Sequence, residues 1–182
     1  MKALGILSDA QIFIDDSPHL NIVQLHSKAR RLHNEIGIDL IIVDYLQMVY
    51  GSERVQNPVQ EMTLVSRGLK ALARDLDVPL LAVSQLSRAV MQRNKPRIPQ
   101  LSDLRESGSI EQDADVVLLM YRTDKDYTEE EWAAMHPGER YPVGMTDIEI
   151  AKHRNGPTGS VKLYFRDNLT KFNSVELERS RP

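Results

Sequence analysis

The chain has 182 residues, carries a formal net charge of −3 at pH 7 and contains no cysteine. Its length predicts a single domain. The lack of cysteine excludes disulfides and cysteine-ligated metals within these residues and fits a reducing compartment. The slightly acidic charge does not indicate nucleic-acid binding, which would need a local basic surface. No apolar stretch reaches membrane-spanning length and the N-terminus is too weakly apolar for a secretion signal, so we expect a cytoplasmic location and no membrane partner.

Short apolar runs alternate with amphipathic segments in the first half of the chain. Three of these runs, Gln11–Asp15, Leu40–Tyr45 and Pro79–Ser84, predict strands, and the last two are of the type buried on both faces. Between the runs, apolar residues at helical spacing predict helices over Ile22–Ile36 and Pro58–Leu76. This alternation of strand and helix predicts a parallel sheet with helices on its faces.

Capping residues mark the ends of the predicted helices. Asn21 and Asn57 precede the two long helices, and Gly37 follows the first of them. Ser109 begins a Ser-x-x-Gln capping box, which predicts another short helical turn. Thr128 begins a further capped turn inside the charged surface segment 122–145, where we expect Trp132 to pack locally rather than to bind a ligand.

The second half of the chain departs from the early alternation. The segment RNKPRIPQ places cations among prolines and predicts a mobile basic loop. Val116–Tyr121 predicts a third buried strand. Asp147–His153 and Val161–Phe165 flank an Asn-Gly pair, which predicts a β-hairpin, and the last residues predict one more short strand.

Four polar residues stand where chemistry is expected. Asp44 ends one predicted strand and Gln85 follows the next, at the sheet edge where open α/β proteins bind ligands. The Asp44 carboxylate suits Mg²⁺, and Gln85 suits a terminal phosphate or its attacking water. Lys152 and Arg154 alternate before a glycine turn and suit the charge that develops in phosphoryl transfer. Taken singly, Asp44 also fits a turn cap, and Lys152 and Arg154 also fit solvated cations.

A local basic surface is also present. Arg93, Lys95, Arg97 and Arg105 suggest contacts with a phosphate backbone, and a solvated loop is an equally good interpretation. Few aromatic residues are nearby, so base stacking is not supported.

The strings LIIVDYLQ, AVSQLSR, SDLRESGSIEQDADVVLLMYR and AKHRNGPTG together resemble the C-terminal motor domain of the bacterial replicative DNA helicase, the DnaB family. The resemblance runs from about Gln11 to near the C-terminus. It implies an α/β fold of the RecA-like, P-loop NTPase type, with a mostly parallel sheet, flanking helices and a C-terminal β-hairpin. It also implies ATP and Mg²⁺ as cofactors, a homo-hexameric ring around single-stranded DNA, and primase and a helicase loader as partners.

The same resemblance assigns roles to matching positions. Asp44 looks like the Walker B aspartate and Gln85 like the glutamine that senses the γ-phosphate. Lys152 and Arg154 resemble the pair that reaches the neighbouring subunit's nucleotide, with Arg154 as the finger. His153, between them, departs from the family, which usually has glutamine there.

The resemblance also implies a DNA-contacting loop that faces the channel of the ring. Arg105, Glu106 and Gly108 match that loop. A net acidic subunit can still line such a channel with a few cations and backbone N–H groups, which reconciles the overall charge with DNA binding.

One motif of the family is absent from these residues. None of the 9 glycines is followed by lysine, so the phosphate loop GxxxxGK(S/T) does not occur. The family carries that loop, the catalytic glutamate and the N-terminal collar domain upstream of the matched region. Residues 1–182 are therefore expected to be a partial RecA-like domain that lacks the phosphate-loop strand. Alone, this chain is expected neither to hydrolyse ATP nor to unwind DNA.

Two other interpretations remain open from the sequence. One is a related RecA-like ATPase, such as a recombination or phage helicase–primase protein. The other is a non-catalytic remnant that binds DNA or joins full-length rings as a subunit contributing only its finger.

Overall fold

The structure, a computed structural model, describes residues 2–18, 20–51, 57–107 and 109–175, and the side chains at 2–4, 6 and 105–107 lie outside that description. The helices are α1 Lys2–Asp9, α2 Ile22–Ile36, α3 Pro58–Leu76, α4 Ile110–Asp113, α5 Thr123–Asp126 and α6 Glu129–Met135. The strands are β1 Leu20–Asn21, β2 Ile41–Val43, β3 Val49–Tyr50, β4 Leu80–Ala82, β5 Val116–Arg122, β6 Met145–His153, β7 Gly159–Arg166 and β8 Lys171–Ser174.

The described strands form three sheets. β2 pairs with β4 in parallel, with Val43 opposite Ala82, and β1 pairs with β3 in parallel. β5, β6, β7 and β8 form one antiparallel sheet in that order. The expected α/β class is therefore present, and the predicted hairpin of β6 and β7 is confirmed as part of a larger four-stranded sheet.

The predicted caps of the two long helices are confirmed. Asn21 forms a capping box with Gln24, and the Gly37 backbone N–H donates to the His33 carbonyl at 2.8 Å with φ at +69°. The Asn57 side chain accepts from the backbone N–H of Val59, next to a proline in the first helical turn. These ends follow from local hydrogen bonding alone, which explains why the sequence located them.

The core lies between α3 and the sheets. Val65 and Leu72 of α3 are 0% and 1% exposed and belong to one buried cluster with residues of α2, β2 and β5. Burial of one such leucine or valine stabilises the fold by about 1.5–3 kcal/mol. Gly68 brings α2 close, because a Cβ atom added there would lie 2.3 Å from Ile22 Cγ1. Helix α3 is thus the scaffold on which both the parallel strands and the antiparallel sheet are placed.

Two predictions about the strands are wrong. Segment 11–17 is not a strand; Ile12 and Ile14 are 61% and 86% exposed, and no described strand lies beside them to pair with their backbone. The strands predicted to be buried on both faces are covered on one face only, since Ile42, Leu81 and Leu118 are 60%, 50% and 56% exposed. Within the described residues, helices pack against the opposite face alone.

The balance of the sheets also differs from the expected mostly parallel arrangement. Among the described strands, parallel pairing is limited to strands of two or three residues, whereas the antiparallel strands run to nine. β5, which was predicted as a third buried strand, pairs antiparallel with β6. Long parallel strands need neighbours on both sides to pair their backbone groups, and β2 and β4 have one such neighbour each among the described strands.

Of the remaining local predictions, those at Thr128 and Trp132 are confirmed, and the one at Ser109 is confirmed in part. The Thr128 capping box forms with Glu131 and begins α6. Trp132 packs locally, stacked on His136 at 3.9 Å between ring centroids. The short helical turn predicted after Ser109 is confirmed as α4, but its capping box does not form, because Ser109 is itself in the right-handed helical region and its buried side chain makes no capping bond.

Candidate functional site

Asp44 and Gln85 follow paired strands that end at the same edge of the parallel sheet. Beyond the last paired residues, the Val83 backbone N–H donates to the Val43 carbonyl at 2.9 Å, and the Leu46 N–H donates to the Val83 carbonyl at 2.9 Å. Asp44 and Gln85 therefore leave the sheet side by side at the carboxyl ends of β2 and β4. We call these two residues the open edge.

Gln47 ties the two sides of the open edge together. Its side-chain amide donates to the Gln85 carbonyl at 3.3 Å and to Ser84 Oγ at 3.2 Å, and its Oε1 accepts from the Gln85 backbone N–H at 3.4 Å. These bonds hold the Gln85 backbone and leave its side chain free of them. Gln47 was not among the predicted site residues, although it stands in the string LIIVDYLQ shortly after Asp44.

The functional groups of the open edge have no partner within the described part of the chain. The Asp44 side chain is exposed, and no described residue forms a hydrogen bond or an ion pair with its carboxylate. Such a carboxylate can accept a hard cation. Mg²⁺ commonly takes one or two carboxylates and completes its shell with water and substrate phosphate oxygens. No group of three or more metal-ligating side chains occurs among the described residues, so the donor set fits a cation shared with a phosphate ligand better than a protein-only metal site.

Lys152 and Arg154 lie on the same side of the end of β6, as predicted, and both contact α4. Lys152 Nζ donates to the Glu111 carbonyl at 2.5 Å and to the Gln112 carbonyl at 3.2 Å, and Arg154 Nη2 donates to the Gln112 carbonyl at 3.1 Å. Carbonyls at the end of a helix lack intrahelical partners and carry partial negative charge, which favours cations there.

Asp115 and Lys70, which were not among the predicted site residues, contact the cations at the end of β6 or each other. Asp115 pairs with Arg154 through Oδ1 and Nη1 at 3.2 Å, and its other carboxylate oxygen pairs with Lys70 of α3. The hydrogen bond from Lys70 lowers the pKa of Asp115 below its ordinary value, against a smaller opposing effect of burial. We call Lys70, Asp115, Lys152 and Arg154 the cation cluster. Asp115 lies in the string EQDAD, but only the fold brings Lys70 to it.

The two groups are separate in the described structure. Among the described residues, no hydrogen bond or ion pair joins the open edge to the cation cluster; Lys152 and Arg154 bond to α4 and Asp115 instead. Arg154 is nonetheless 49% exposed at its side chain, so part of the guanidinium faces solvent.

The cations of the basic loop are held in ion pairs. Its three cations are bound by carboxylates of the same chain, with Arg93 paired to Asp103, Lys95 to Glu131 at 2.5 Å and Arg97 to Asp126 at 3.3 Å. These paired cations are at most 34% exposed, against 49% for Arg154, and are weaker attractors for phosphate, so the geometry does not support the predicted phosphate contacts by this loop.

The side chains of the remaining predicted site residues lie outside the described part of the chain. Arg105 and Glu106 belong to the 3₁₀ helix Leu101–Ser107, but their side chains are outside the described part of the chain, as is Gly108 altogether. Within the described ranges, no helix combines the length and the apolar character needed to cross a membrane.

Comparisons with known proteins identify the family to which the chain belongs. The DnaB-like helicase C terminal domain model matches residues 1–174. The chain is 48% identical over 178 residues to the replicative DNA helicase DnaB of Geobacillus stearothermophilus, covering 97% of this chain and 36% of that protein. It is 47% identical over 178 residues to the replicative DNA helicase DnaC of Bacillus subtilis strain 168, again covering 97% of this chain and 36% of the relative.

A solved structure agrees with these matches. The structure of a DnaB-like replicative helicase and its interactions with primase superposes with a TM-score of 0.82 at 35% identity, covering 96% of this chain and 40% of that one. The chain spans about a third of the length of the curated relatives it matches. The match extends over both the open edge and the cation cluster, and the chain belongs to the DnaB-like helicase C-terminal domain family.

Proposed function

We propose that this chain forms part of the ATP-hydrolysing motor of a replicative DNA helicase that acts as a hexameric ring on single-stranded DNA. In this proposal, residues 1–182 are part of its RecA-like C-terminal domain. The observation that carries the proposal is the open edge: a carboxylate and an amide without partners among the described residues stand side by side at the carboxyl ends of parallel strands, in a chain whose relatives are replicative helicases. That edge is where open α/β sheets bind nucleotides.

Each open-edge residue has a proposed role. Asp44 binds Mg²⁺ directly or through water and so positions the phosphates of ATP, since its carboxylate has no competing partner among the described residues. Gln85 contacts the terminal phosphate or the attacking water, and Gln47 supports it by holding its backbone. When bound, the metal ion neutralises the charge that develops during phosphoryl transfer.

The cation pair acts on a different nucleotide. Lys152 and Arg154 are bonded to α4 and Asp115 rather than to the open edge of their own chain, which supports a role in the neighbouring subunit's site. Arg154 serves there as the finger, whose guanidinium stabilises the transferring phosphoryl group. Lys152 adds a second positive charge.

The proposal extends to partners. Arg105, Glu106 and Gly108 contact single-stranded DNA in the channel of the ring. Primase and a helicase loader bind the assembled helicase, in part through regions beyond these 182 residues. The matched solved structure is that of a DnaB-like replicative helicase and its interactions with primase, which supports the first of these partners.

The proposal is tested in two parts. The purified 182-residue chain should show no DNA-stimulated ATPase, because these residues contain no Gly-Lys pair to bind phosphates. A hybrid helicase, in which this chain replaces the matched segment of the Geobacillus relative, should regain DNA-stimulated ATPase and unwinding. ATPase from the chain alone would refute the first expectation. A folded, hexameric hybrid that binds ATP but does not hydrolyse it would refute the second.

A second candidate is a subunit that contributes only its finger to rings of a full-length homologue. Two observations favour it: Lys152 and Arg154 are present, and a phosphate loop is absent from these residues. Adding the 182-residue chain to rings made of the Geobacillus relative lacking its own finger arginine should then restore ATPase. No change in ring activity would count against this candidate.

A further inference from the structure

Asp115 holds Arg154 by both its side chain and its main chain. The carboxylate pairs with Arg154 Nη1 at 3.2 Å, and the Asp115 carbonyl accepts from the Arg154 backbone N–H at 2.8 Å. A residue held at its backbone and at the far end of its side chain keeps few of the rotamers that a long arginine side chain otherwise samples. Asp115 therefore restricts the direction in which the Arg154 guanidinium leaves the chain.

The carboxylate is itself anchored to the core. Its second oxygen pairs with Lys70 of α3, whose side chain is 27% exposed. Lys70 follows directly after Leu69, which is 4% exposed in the buried cluster. Asp115 thus lies between Lys70 of α3 and the half-exposed guanidinium of Arg154, and it links that guanidinium to α3.

A second contact sets the orientation of the guanidinium plane. Arg154 Nη2 donates to the Gln112 carbonyl at 3.1 Å, which also accepts from Lys152 at 3.2 Å. Two fixed points, one on each terminal nitrogen, leave little rotation of the planar group. An arginine side chain has more N–H donors than these two bonds use, so donors remain for a ligand on the 49% of the side chain that is exposed.

We propose that Asp115 is a positioning residue for Arg154, which orients the guanidinium so that its remaining donors meet the phosphates of a nucleotide held by the neighbouring subunit. The proposal rests on the proposed function, in which Arg154 is the finger. A cation held in place before the reaction stabilises developing charge without reorganisation at the moment of phosphoryl transfer. Asp115 touches neither nucleotide nor water in this scheme and acts only through Arg154.

The experiment uses the hybrid helicase. Asp115→Asn removes the charge of the carboxylate and keeps its shape, and it should lower kcat for DNA-stimulated ATP hydrolysis by about tenfold or more, as for a catalytic group displaced by a fraction of an ångström. KM for ATP should stay within about twofold, because the open edge is unchanged. Asp115→Glu should recover part of the lost kcat.

Asp75→Asn is the matched control. Asp75 also lies in an ion pair, with Arg30 at 3.3 Å, and its side chain is 50% exposed against 51% for Asp115. It has no contact with the cation cluster among the described hydrogen bonds and ion pairs. This variant should keep the kcat of the parent hybrid.

Mixed rings separate positioning from a general effect on folding. Subunits with Asp44→Asn have a disabled nucleotide site and an intact finger, whereas subunits with Asp115→Asn have an intact site and a displaced finger. Mixing them should raise the ATPase rate per Asp115→Asn subunit above that of rings made of Asp115→Asn alone. A substitution that merely weakened its own subunit would gain nothing from such neighbours, and an absence of gain would overturn the proposal.

Two further outcomes are also decisive. If Arg154→Gln in the hybrid keeps the parent kcat, the role of Arg154 as finger fails and the inference about Asp115 falls with it. If Arg154→Gln is slow but Asp115→Asn keeps or exceeds the parent kcat, only the inference about Asp115 is overturned, because the carboxylate then does not help to place the finger.

Discussion

The open edge and the cation cluster are opposite kinds of site. Asp44 and Gln85 end strands and present side-chain groups that no described residue binds, whereas Lys70, Asp115, Lys152 and Arg154 are linked to one another and to the carbonyls of α4. Unbound polar groups at a surface are solvated at little cost and remain available to a ligand. Groups already paired contribute to the fold as well as to any function.

This difference has a consequence for mutations. Substitutions in the open edge should impair nucleotide chemistry and leave stability unchanged. Substitutions in the cation cluster should affect both, because they leave a partner unpaired within the folded chain.

The largest expected effect separates activity from stability at the open edge. Asp44→Asn in the hybrid helicase should lower kcat for ATP hydrolysis by roughly a hundredfold or more, as the proposed metal-binding carboxylate is lost. The free energy of unfolding of the 182-residue chain should change by less than about 0.5 kcal/mol, as for an exposed residue without partners.

Asp39 provides the control for this variant. It is exposed and lies just before β2, at the opposite end of the strand from Asp44. Asp39→Asn should leave both the ATPase rate and the unfolding curve unchanged. A loss of stability in Asp44→Asn comparable with a core substitution would show that the open edge is bound within the fold after all.

The next effect probes the scaffold that both sites share. Gly68→Ala should destabilise the 182-residue chain by about 1–3 kcal/mol, because the new methyl group would overlap buried Ile22 and push α2 from α3. Ordinarily this change stabilises an exposed helix by about 1 kcal/mol. Urea denaturation monitored by circular dichroism measures the sign directly.

Gly5→Ala is the control, since a Cβ atom at Gly5 of α1 would meet nothing within 4 Å. It should be neutral or stabilising. A stabilising Gly68→Ala would mean that α2 and α3 separate more easily than their contact indicates, so that α3 would be a poor anchor for Lys70.

A smaller loss of stability should follow from breaking the cation cluster at its anchor. Lys70→Met keeps the length of the side chain and removes its charge, and it should cost about 0.5–1 kcal/mol, since the side chains of the pair are 27% and 51% exposed. Lys162→Met is the comparison, because that lysine is 65% exposed in its ion pair with Asp147. Equal unfolding free energies for both variants and the parent would argue that the cluster contributes nothing to the fold.

The smallest effect is a dependence on pH. The pKa of Asp115 lies below its ordinary value of 3.8, chiefly through the hydrogen bond from Lys70. A carboxyl group with a lowered pKa in the folded state contributes stability that is complete above its unfolded pKa and is lost as pH falls through the folded value. Unfolding free energy should therefore decline below about pH 4, and the decline should be shallower in Asp115→Asn. An identical decline in that variant would assign the effect to other carboxylates.

One such carboxylate is Asp124. Burial acts to raise its pKa, but the hydrogen bonds from Arg122 and from the Gly144 backbone N–H lower it below the ordinary value. Asp124→Asn should also make the decline of unfolding free energy at acidic pH shallower. The double variant with Asp115→Asn should show a still shallower decline, since the two carboxylates lie in separate networks.

The sequence by itself determined the features that depend on neighbouring residues. The ends of α2, the start of α3 and the capped turn of α6 follow from hydrogen bonds between residues a few positions apart, and each was predicted. The positions of Asp44 and Gln85 also followed, because a short apolar run ending in a polar residue marks the carboxyl end of a strand. Resemblance of long strings then identified the family, and the comparisons confirmed it.

Only the tertiary structure decided what depends on partners distant in sequence. The apolar run at Gln11–Asp15 has strand composition but no strand beside it, and the faces of β2 and β4 that were expected to be buried are exposed. The cations of the basic loop are neutralised by Asp103, Glu131 and Asp126, which the local sequence does not indicate. Lys70 and Asp115 are 45 positions apart and meet because α3 packs beside α4. Strand pairing, burial and ion pairing are long-range interactions, and composition near one residue does not determine which groups the fold will bring to it.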